Sequence, residues 1–491
     1  MESNKDATLV AMAQTFFWYD LETSGLSPRE QRIMQFAGQR TDMDLNPVGT
    51  PVNILVRLGE DILPDPDAVL LTGITPQSTL QDGVTEVEFL KLFYKEVATR
   101  DTIFVGYNTI RFDDEFMRFT NYRNFYDAYE WQWQDGRSRW DLLDVVRMTR
   151  ALRPEGIKWP MTEDGKPTNR LELITKLNGV SHEHAHDALA DVIASIEVAR
   201  LIKTKQPKLF DWLLKLRGKN DVRKFLESNQ TFIYSSGRFA NETEKTAVVR
   251  VLHTDDAKGA LVYDLRFDPT EFKGLLPEDL AERWRFTKDP KAPTRLPVKS
   301  LKYNHCPALS PTGILSDEGV QQRLGVTPAA VNANLTKLNA LPELVANIVK
   351  ARGLLDDERG EQWSKAAPDA DAALYDGFIS DADKKLAAVV RAAEPAELAQ
   401  LQPDFRDERL RALLPRYKAR NFASQLTDEE RASWEEHRYH ALMDGGTESK
   451  LAKFMHRLGQ LAESEQGQEK RYFLEELQLY AESIMPVADV D

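Results

Sequence analysis

The chain contains a single cysteine, Cys306, among 491 residues. One cysteine cannot form an intramolecular disulfide, so the fold depends on its hydrophobic core, as is usual in a reducing compartment. No apolar run is long enough to span a bilayer. Residues 1–14 lack the basic and apolar segments of a secretion signal. We therefore expect a cytoplasmic protein that does not enter a membrane.

Positive charge is also scarce, because the net charge is −14 at neutral pH. An acidic total at first argues against a nucleic-acid partner, since phosphates are contacted mainly by Lys and Arg. The charge is unevenly distributed, however: residues 201–310 contain 21 Lys and Arg against 14 Asp and Glu. A basic segment within an acidic chain permits, without requiring, a local nucleic-acid-binding surface.

A chain of this length is too long for one hydrophobic core, so we expect two or three domains. The first two hundred residues alternate patterns typical of strands and helices, which predicts an α/β sheet covered by helices. The predicted strands are 15–20, 34–41, 52–58 and 102–106, and the predicted helices are 86–98, 113–124, 140–151, 170–178 and 187–203.

The sequence pattern changes after about residue 205. Runs rich in β-branched and aromatic residues predict strands at 230–235, 246–253 and 259–267, and therefore a small β-rich domain. Residues 362–371 are predicted to form an exposed linker. Apolar spacing typical of helices at 381–394 and 450–484 predicts an α-helical domain at the end of the chain.

Two carboxylates end the first predicted strand, in the sequence Asp20-Leu-Glu22-Thr23. Side chains two residues apart in a strand share a face, so Asp20 and Glu22 project together. Adjacent carboxylates repel unless a proton or a cation joins them, and hard divalent ions such as Mg²⁺ are the natural partner. Taken alone, an exposed acidic strand end is the commoner explanation of such a pair.

A third acid, Asp113, follows the predicted strand 102–106 and begins a predicted helix. An acidic residue at this position also stabilises a helix start, and this alternative explanation is equally well supported. The neighbouring Asp114 would point in a different direction from the helix, so it is the weaker candidate.

A histidine and an acid, His186 and Asp191, stand at the entrance of the predicted helix 187–203. We expect Asp191 in the first turns of the helix, with His186 able to approach whatever Asp191 binds. A lone histidine is more often a surface residue or a satisfied core residue. That is our interpretation of His182 and His184.

Together, these acids and the histidine form one ordered set over the first domain. The order resembles the DEDDh superfamily of 3′–5′ exonucleases, whose fold is RNase H-like. Longer motifs are similar to bacterial exonuclease I (exodeoxyribonuclease I) over nearly the full length. They are LTGITP at 71–76, GYNTIRFDDE at 106–115, YRNFYD at 122–127, SRWDLLD at 138–144, ALRPEGI at 151–157, YDGF at 375–378 and ARNF at 419–422.

The resemblance implies three domains: an α/β RNase H-like exonuclease domain over 1–204, an SH3-like β-rich domain over 205–355 and a helical C-terminal domain over 360–491. It implies an enzyme that degrades single-stranded DNA from 3′ to 5′ and releases nucleoside 5′-monophosphates, in repair, mismatch repair and recombination. It also implies two Mg²⁺ ions, for which Mn²⁺ can substitute, and His186 as the base that accepts a proton from the attacking water. The implied metal ligands are Asp20, Glu22, Asp113 and Asp191, with Asp20 bridging both ions.

Residues 118–140 are unusually aromatic, with eight rings interleaved with four arginines. Aromatic rings stack on unpaired bases at roughly 1–3 kcal/mol per base without reading the sequence. Burial in the core is the alternative for large rings, and we expect it for about half of them.

The resemblance also selects particular contacts to single-stranded DNA and to other partners. Leu21 and Thr23, beside the metal site, are expected near the terminal nucleotide. The single-stranded DNA-binding protein is an implied partner, and the implied state is a monomer. The implied substrate-binding residues are Glu22, Arg118, Tyr129, Trp133, Arg147, Arg153 and Arg170.

Two alternative functions are open at this point. An RNA-trimming or proofreading DEDDh exonuclease would share the first domain, but roughly 280 further residues would then have no role. A non-catalytic single-stranded nucleic-acid binding protein would keep the fold alone, yet all five catalytic positions are intact in this chain.

Overall fold

The computed structural model describes residues 14–180, 187–289, 291–364, 369–464 and 467–486. Within these ranges the chain forms two five-stranded sheets, each with its own packed helices, followed by a helical C-terminal part. No helix in the described ranges is long and apolar enough to cross a membrane.

The first sheet has the strand order β3-β2-β1-β4-β5. β2 pairs antiparallel with both β1 and β3, whereas β4 lies parallel between β1 and β5. The strands are β1 (Thr15–Thr23), β2 (Ile33–Thr41), β3 (Val52–Leu55), β4 (Thr102–Gly106) and β5 (Ser138–Asp141). The helices of this part are α1 (Pro66–Thr72), α2 (Pro76–Asp82), α3 (Glu86–Leu92), α4 (Asp113–Arg123), α5 (Leu142–Leu152), α6 (Leu171–Leu177) and α7 (Ala188–Lys205).

Strand β1 is apolar on both faces because helices cover both faces of the sheet. Phe16 and Trp18 belong to the core on the side of α7, and Phe17 and Tyr19 belong to the core on the side of α3 and α4. Burying each such ring is worth about 1.5–3 kcal/mol, which fixes the register of the strand. This alternation determines toward which face of the sheet each later side chain of β1 points.

Two predicted helices begin or end differently in the structure. Trp140, predicted to start a helix, lies in β5, and α5 starts at Leu142 because the Asp141 side chain accepts a hydrogen bond from the Leu143 N–H. The predicted helix 86–98 is confirmed as α3, but it continues as a π-helical turn over Phe93–Val97.

The second sheet is antiparallel throughout, with the order β10-β6-β7-β8-β9. Its first three strands match the predicted β runs, whereas the two short strands β9 and β10 were not predicted. The strands are β6 (Thr231–Ser235), β7 (Thr246–Asp255), β8 (Gly259–Asp264), β9 (Val298–Leu301) and β10 (Ala308–Pro311). The helices around it are α8 (Pro207–Lys215), α9 (Lys219–Ser228), α10 (Pro277–Trp284), α11 (Glu318–Leu324), α12 (Pro328–Asn339) and α13 (Pro342–Ser364).

The C-terminal part is helical, as predicted, but it differs in two details. The predicted exposed linker 362–371 is wrong at both ends, because α13 continues to Ser364 and Asp371 is buried among arginines. The part of this prediction over 365–368 lies outside the described residues. The predicted helical run 450–484 is interrupted between α18 and α19. The helices are α14 (Asp381–Ala392), α15 (Pro395–Gln400), α16 (Glu408–Phe422), α17 (Asp428–Met443), α18 (Lys450–Glu463) and α19 (Gln468–Ser483).

Candidate active site

The C-terminal end of β1 carries two acids on the side of the sheet that α7 covers. Asp20 and Glu22 continue the alternation of Phe16 and Trp18, so both face α7. Asp191 lies in the first turn of that helix. Carboxylate oxygens of Asp20, Glu22 and Asp191 all lie within 4.8 Å of one another. The structure therefore brings three of the four predicted ligands into one cluster.

Asp113, the fourth predicted ligand, reaches β1 from the start of α4. Its Oδ1 accepts a hydrogen bond from the backbone N–H of Leu21 at 3.1 Å. The loop before it turns at Asn108, whose φ of 74° is left-handed and whose N–H donates to Asp141 at 3.0 Å. This turn directs the helix start toward the end of β1.

The cluster has an excess of negative charge. Burial raises the pKa of Asp20 well above its usual value, and the nearby charges of Asp113 and Asp191 raise it further. Burial and the charge of Asp20 raise the pKa of Glu22 to about 9. Burial raises the pKa of Asp113 as well. Such a cluster holds protons unless a cation compensates its charge.

The donor set fits divalent metal ions. Carboxylate oxygens are the ligands that hard cations such as Mg²⁺ prefer, and four converging acids supply the negative charge that such ions require. Apart from burial, the described groups that most raise the pKa of Asp20 and of Glu22 are other acids of the cluster.

The entrance of α7 holds a further acid, Asp187. The Asp187 side chain accepts a hydrogen bond from the Ala190 N–H at 2.9 Å, so Asp187 caps the start of the helix. Its charge also contributes to the raised pKa of both Asp20 and Glu22. The predicted base His186, together with His182 and His184, lies outside the described residues.

A second layer of polar residues on the other face of β1 was not predicted. The Tyr19 hydroxyl donates to Asp114 at 2.5 Å, and Asp114 is ion-paired with Arg139. Arg139 in turn donates to the backbone oxygen of Asn304 at 2.8 Å. Asp114 is thus a buried structural acid that links β1 to the second sheet. The alternation of side chains in β1 that places Asp20 toward α7 also turns Tyr19 toward Asp114. This alternation was the feature of the sequence that could have predicted which side of the sheet Tyr19 occupies.

The aromatic segment divides into core rings and exposed rings. Phe119, Tyr122, Phe125, Trp131 and Trp140 are buried, close to the half that was predicted. Trp133 is 62% exposed and Tyr129 is 40% exposed. Both exposed rings are therefore available to stack on bases.

The predicted arginine contacts lie in different environments. Arg118 is buried, paired with Glu115 and Asp114, and its guanidinium lies 5.5 Å from the centre of the Tyr129 ring. Arg147 pairs with Asp144, yet its buried Nε–H has no hydrogen-bond partner within the described residues. Arg153 is half-buried at the end of α5, and Arg170 is exposed before α6.

The expectation that Leu21 lies against a terminal nucleotide is wrong. Leu21 is buried in the core on the α3 and α4 side, because its position in β1 has the parity of Phe17 and Tyr19. Thr23 is also buried, and its hydroxyl donates to the Gly25 oxygen at 2.8 Å.

The C-terminal part contributes to the surface next to Tyr129. The Tyr375 hydroxyl donates to Glu115, the same carboxylate that pairs with Arg118. A cavity of about 410 Å³ lies between the exonuclease domain and the C-terminal part. It is lined by Tyr129, Tyr375 and the fully exposed Phe378, among others. The motif at 375–378 is part of the family resemblance, but its position beside α4 depends on how the domains pack and was not predicted.

Comparisons with known proteins agree with this architecture. Residues 17–199 match the family described as Exonuclease, residues 217–351 the Exonuclease I SH3-like domain, and residues 368–484 the Exonuclease I C-terminal domain. Exodeoxyribonuclease I of Haemophilus influenzae is 38% identical over 444 residues, which cover 88% of this chain and 92% of that protein. The Escherichia coli protein is 39% identical over 434 residues, covering 86% and 89%. The chain belongs to the exodeoxyribonuclease I family.

Solved structures of exonuclease I share the whole fold. The Methylocaldum szegediense enzyme superimposes with a TM-score of 0.88 at 40% identity, covering 96% of this chain and all of that one. Escherichia coli exonuclease I with a dA16 oligonucleotide gives 0.87 at 37% identity, with the same coverage. Two further structures of exonuclease I, both 36% identical, cover 96% of this chain and at least 99% of their own. They are a zinc-bound complex with single-stranded DNA, with a TM-score of 0.88, and an SSB/exonuclease I structure with an inhibitor, with a TM-score of 0.84.

A weaker likeness covers the first domain alone. Oligoribonuclease of Chromobacterium violaceum is 25% identical over 206 residues, which are 37% of this chain and 90% of that protein. The exodeoxyribonuclease I family thus accounts for all three parts of the chain: an exonuclease domain, an SH3-like domain and a helical C-terminal domain. The exonuclease domain implies dependence on a divalent metal ion.

Proposed function

We propose that this exodeoxyribonuclease removes nucleotides one at a time from the 3′ end of single-stranded DNA and releases nucleoside 5′-monophosphates. The observation that carries the proposal is the convergence of Asp20, Glu22 and Asp191 within 4.8 Å, beside Asp113, in a chain with the complete family architecture. Relatives with this architecture have been solved with single-stranded oligonucleotides.

We propose that Asp20, Glu22, Asp113 and Asp191 hold two Mg²⁺ ions, or Mn²⁺ in their place. When bound, such ions supply Lewis-acid activation of water and stabilise the charge that develops on the phosphate. The chain itself aligns the ligands: β1 fixes the side of Asp20 and Glu22, the Leu21 N–H fixes Asp113, and the first turn of α7 fixes Asp191.

His186 stands directly before the Asp187 cap in the sequence, at the entrance of the helix that carries Asp191. We propose His186 as the group that accepts the proton of the attacking water, since a histidine titrates near neutral pH.

The strand is held by exposed rings and by arginines outside the metal site. Trp133 and Tyr129 present faces on which bases can stack without regard to sequence. The buried Nε–H of Arg147 has no hydrogen-bond partner in the described part of the chain, and Arg170 is exposed, so both fit contacts to phosphates. Arg153 at the end of α5 and Glu22 at the metal site complete the proposed substrate contacts. Arg118 acts from beneath the surface, by holding Tyr129 in place.

The remaining parts of the proposal concern the cellular setting. A structure described as SSB/exonuclease I supports the single-stranded DNA-binding protein as a partner. We propose a cytoplasmic monomer that acts in repair, mismatch repair and recombination, with domains over 1–204, 205–355 and 360–491. The RNA-trimming alternative is disfavoured because the likeness to oligoribonuclease covers only the first domain.

Labelled oligonucleotides test the proposal directly. Single-stranded DNA labelled at its 3′-terminal nucleotide should release labelled mononucleotide at once with Mg²⁺, and none with EDTA. The same strand labelled at its 5′ end should lose that label last. Faster digestion of RNA of the same sequence would favour the trimming enzyme, and retention of label under both conditions would favour the non-catalytic binder.

A further inference from the structure

A buried ion cluster joins the exonuclease domain to the C-terminal part. Asp61, after β3, and Asp371, before α14, are only 4% and 3% exposed. Arg420 of α16 lies between them. Its Nη2 is 2.6 Å from Asp61 Oδ2 and 2.6 Å from Asp371 Oδ2, and its Nη1 donates to Asp371 Oδ1 at 2.8 Å.

Two further arginines surround Asp371. Arg416 of α16 lies 3.0 Å from its Oδ2, and Arg32, just before β2, lies 3.5 Å from the same oxygen. Burial alone would raise the pKa of Asp371, but the surrounding arginines hold it well below its usual range. The cluster is therefore fully ionised, with one guanidinium shared by two carboxylates from different domains.

The same acids, together with His437, have the spacing of a metal site. Arginine nitrogens already fill the positions that a cation would take beside Asp61 and Asp371. Burial and the charge of Arg416 lower the pKa of His437. The cluster is therefore a network of ion pairs and not a metal centre. We call Arg420 and the two acids that it bridges, Asp61 and Asp371, the clasp.

The clasp is connected through a short segment of chain to the proposed strand-binding surface beside Tyr129. Asp371 precedes Tyr375 by four residues in the sequence. The Tyr375 hydroxyl donates to Glu115, which lies beside Arg118 and Tyr129. Arg409 of α16 holds the intervening backbone by donating to the Ala373 oxygen at 2.8 Å. The segment is bonded to both helices along its length, because Arg409 also donates to the Gly377 oxygen at 3.1 Å and the Tyr122 hydroxyl of α4 donates to the Ala370 oxygen at 2.9 Å.

We propose that Arg420, bound between Asp61 and Asp371, is a positioning residue that fixes residues 369–379 against α4 and so determines how many nucleotides are released per binding event. This inference rests on the proposed single-stranded DNA exonuclease function. Two surfaces that hold one strand lower its dissociation most when their relative geometry lets both bind the strand at once. Loosening the clasp therefore shortens each digestion run and leaves the chemistry of a single cut intact.

Two variants break the clasp in different ways. Asp61→Asn removes one of the two acids, and Arg420→Lys keeps the positive charge but loses the planar fork that reaches both. Asp67→Asn is the matched control, because it breaks the Asp67–Arg457 ion pair, which also joins the two domains but is about half exposed on both sides. Exposed pairs of this kind contribute little.

The experiment compares run length with the rate of a single cut, in the full-length enzyme with Mg²⁺. A long 5′-labelled single strand is digested in the presence of excess unlabelled strand, so that each enzyme binds once. Both clasp variants should release roughly tenfold fewer nucleotides per binding event, whereas the single-turnover rate on a short oligonucleotide stays within about twofold. Asp67→Asn should match the wild type in both measurements.

Hydrogen–deuterium exchange provides a second measurement on the same proteins, and amides of residues 370–379 should exchange faster in the clasp variants alone. Run lengths equal to the wild type in both variants would overturn the proposal. An equal loss of run length and single-cut rate would overturn it too, since that result indicates general unfolding. A wild type that digests no single strand at all refutes the proposed function instead.

Discussion

The backbone N–H of Leu21 donates to Oδ1 of Asp113 at 3.1 Å, which joins the centre of the sheet to the start of α4. The bond holds Asp113 close enough to Asp20 for its charge to raise the pKa of Asp20. A peptide group of β1 thus orients an acid from a segment about ninety residues away. The precision of the proposed metal site depends on this strand as much as on the acids themselves.

Replacing Asp20 or Asp191 by Asn should abolish nucleotide release while leaving the affinity for single-stranded DNA within about threefold of the wild type. Each substitution removes a ligand charge that is worth several kcal/mol in such sites, so we expect a loss of about 10³-fold or more in single-turnover rate. Rates are measured with Mg²⁺, and affinity is measured by fluorescence anisotropy in EDTA. A parallel loss of affinity would assign these acids to strand binding.

The metal-free protein should lose stability as the pH rises. Glu22 has its pKa raised to about 9 in the folded state, whereas the unfolded chain releases that proton near its ordinary value. Between these values the folded state binds more protons than the unfolded state, so stability is fully present at acidic pH and is lost as the pH approaches about 9. Melting temperatures in EDTA should fall over this range, and Mg²⁺ should reduce the fall.

Glu22→Gln isolates the contribution of this residue to the slope of melting temperature against pH. The amide carries no charge, so the metal-free variant should melt at a higher temperature than the wild type at pH 8, with a smaller change between pH 6 and pH 9. Calorimetry in EDTA makes the comparison. An unchanged slope would show that Glu22 is ionised in the metal-free fold.

Asp187 offers a way to separate a helix cap from an electrostatic effect. Asn caps a helix about as well as Asp, so Asp187→Asn should keep the stability of α7 but weaken Mg²⁺ activation, because one negative charge near Asp20 is lost. Asp187→Ala should in addition lower the free energy of unfolding by about 1 kcal/mol. Mg²⁺ titrations of activity and urea denaturation measure the two effects separately.

The sequence was sufficient to predict the site wherever local periodicity decides the geometry. Asp20 and Glu22 share a face because β1 alternates, and Asp191 follows the capped start of α7. The position of Leu21 could also have been predicted, since its parity in β1 is opposite to that of Asp20. Periodicity reveals nothing about contacts between domains. The bonds of Tyr375 with Glu115 and of Arg420 with Asp61 join residues 260 and 359 positions apart.

Two tryptophans two residues apart should respond in opposite ways to truncation. Trp133 is exposed, so Trp133→Ala should weaken binding of single-stranded DNA by roughly tenfold, as expected for the loss of one stacked base, with little change in melting temperature. Trp131 is fully buried against Phe104 and Phe93, so Trp131→Ala should cost about 3–5 kcal/mol of stability. Tyr472→Ala, at an exposed ring on α19, is the control for loss of a surface aromatic. Anisotropy and calorimetry on all three variants decide the assignment, because an unchanged affinity in Trp133→Ala would remove this ring from the proposed strand path.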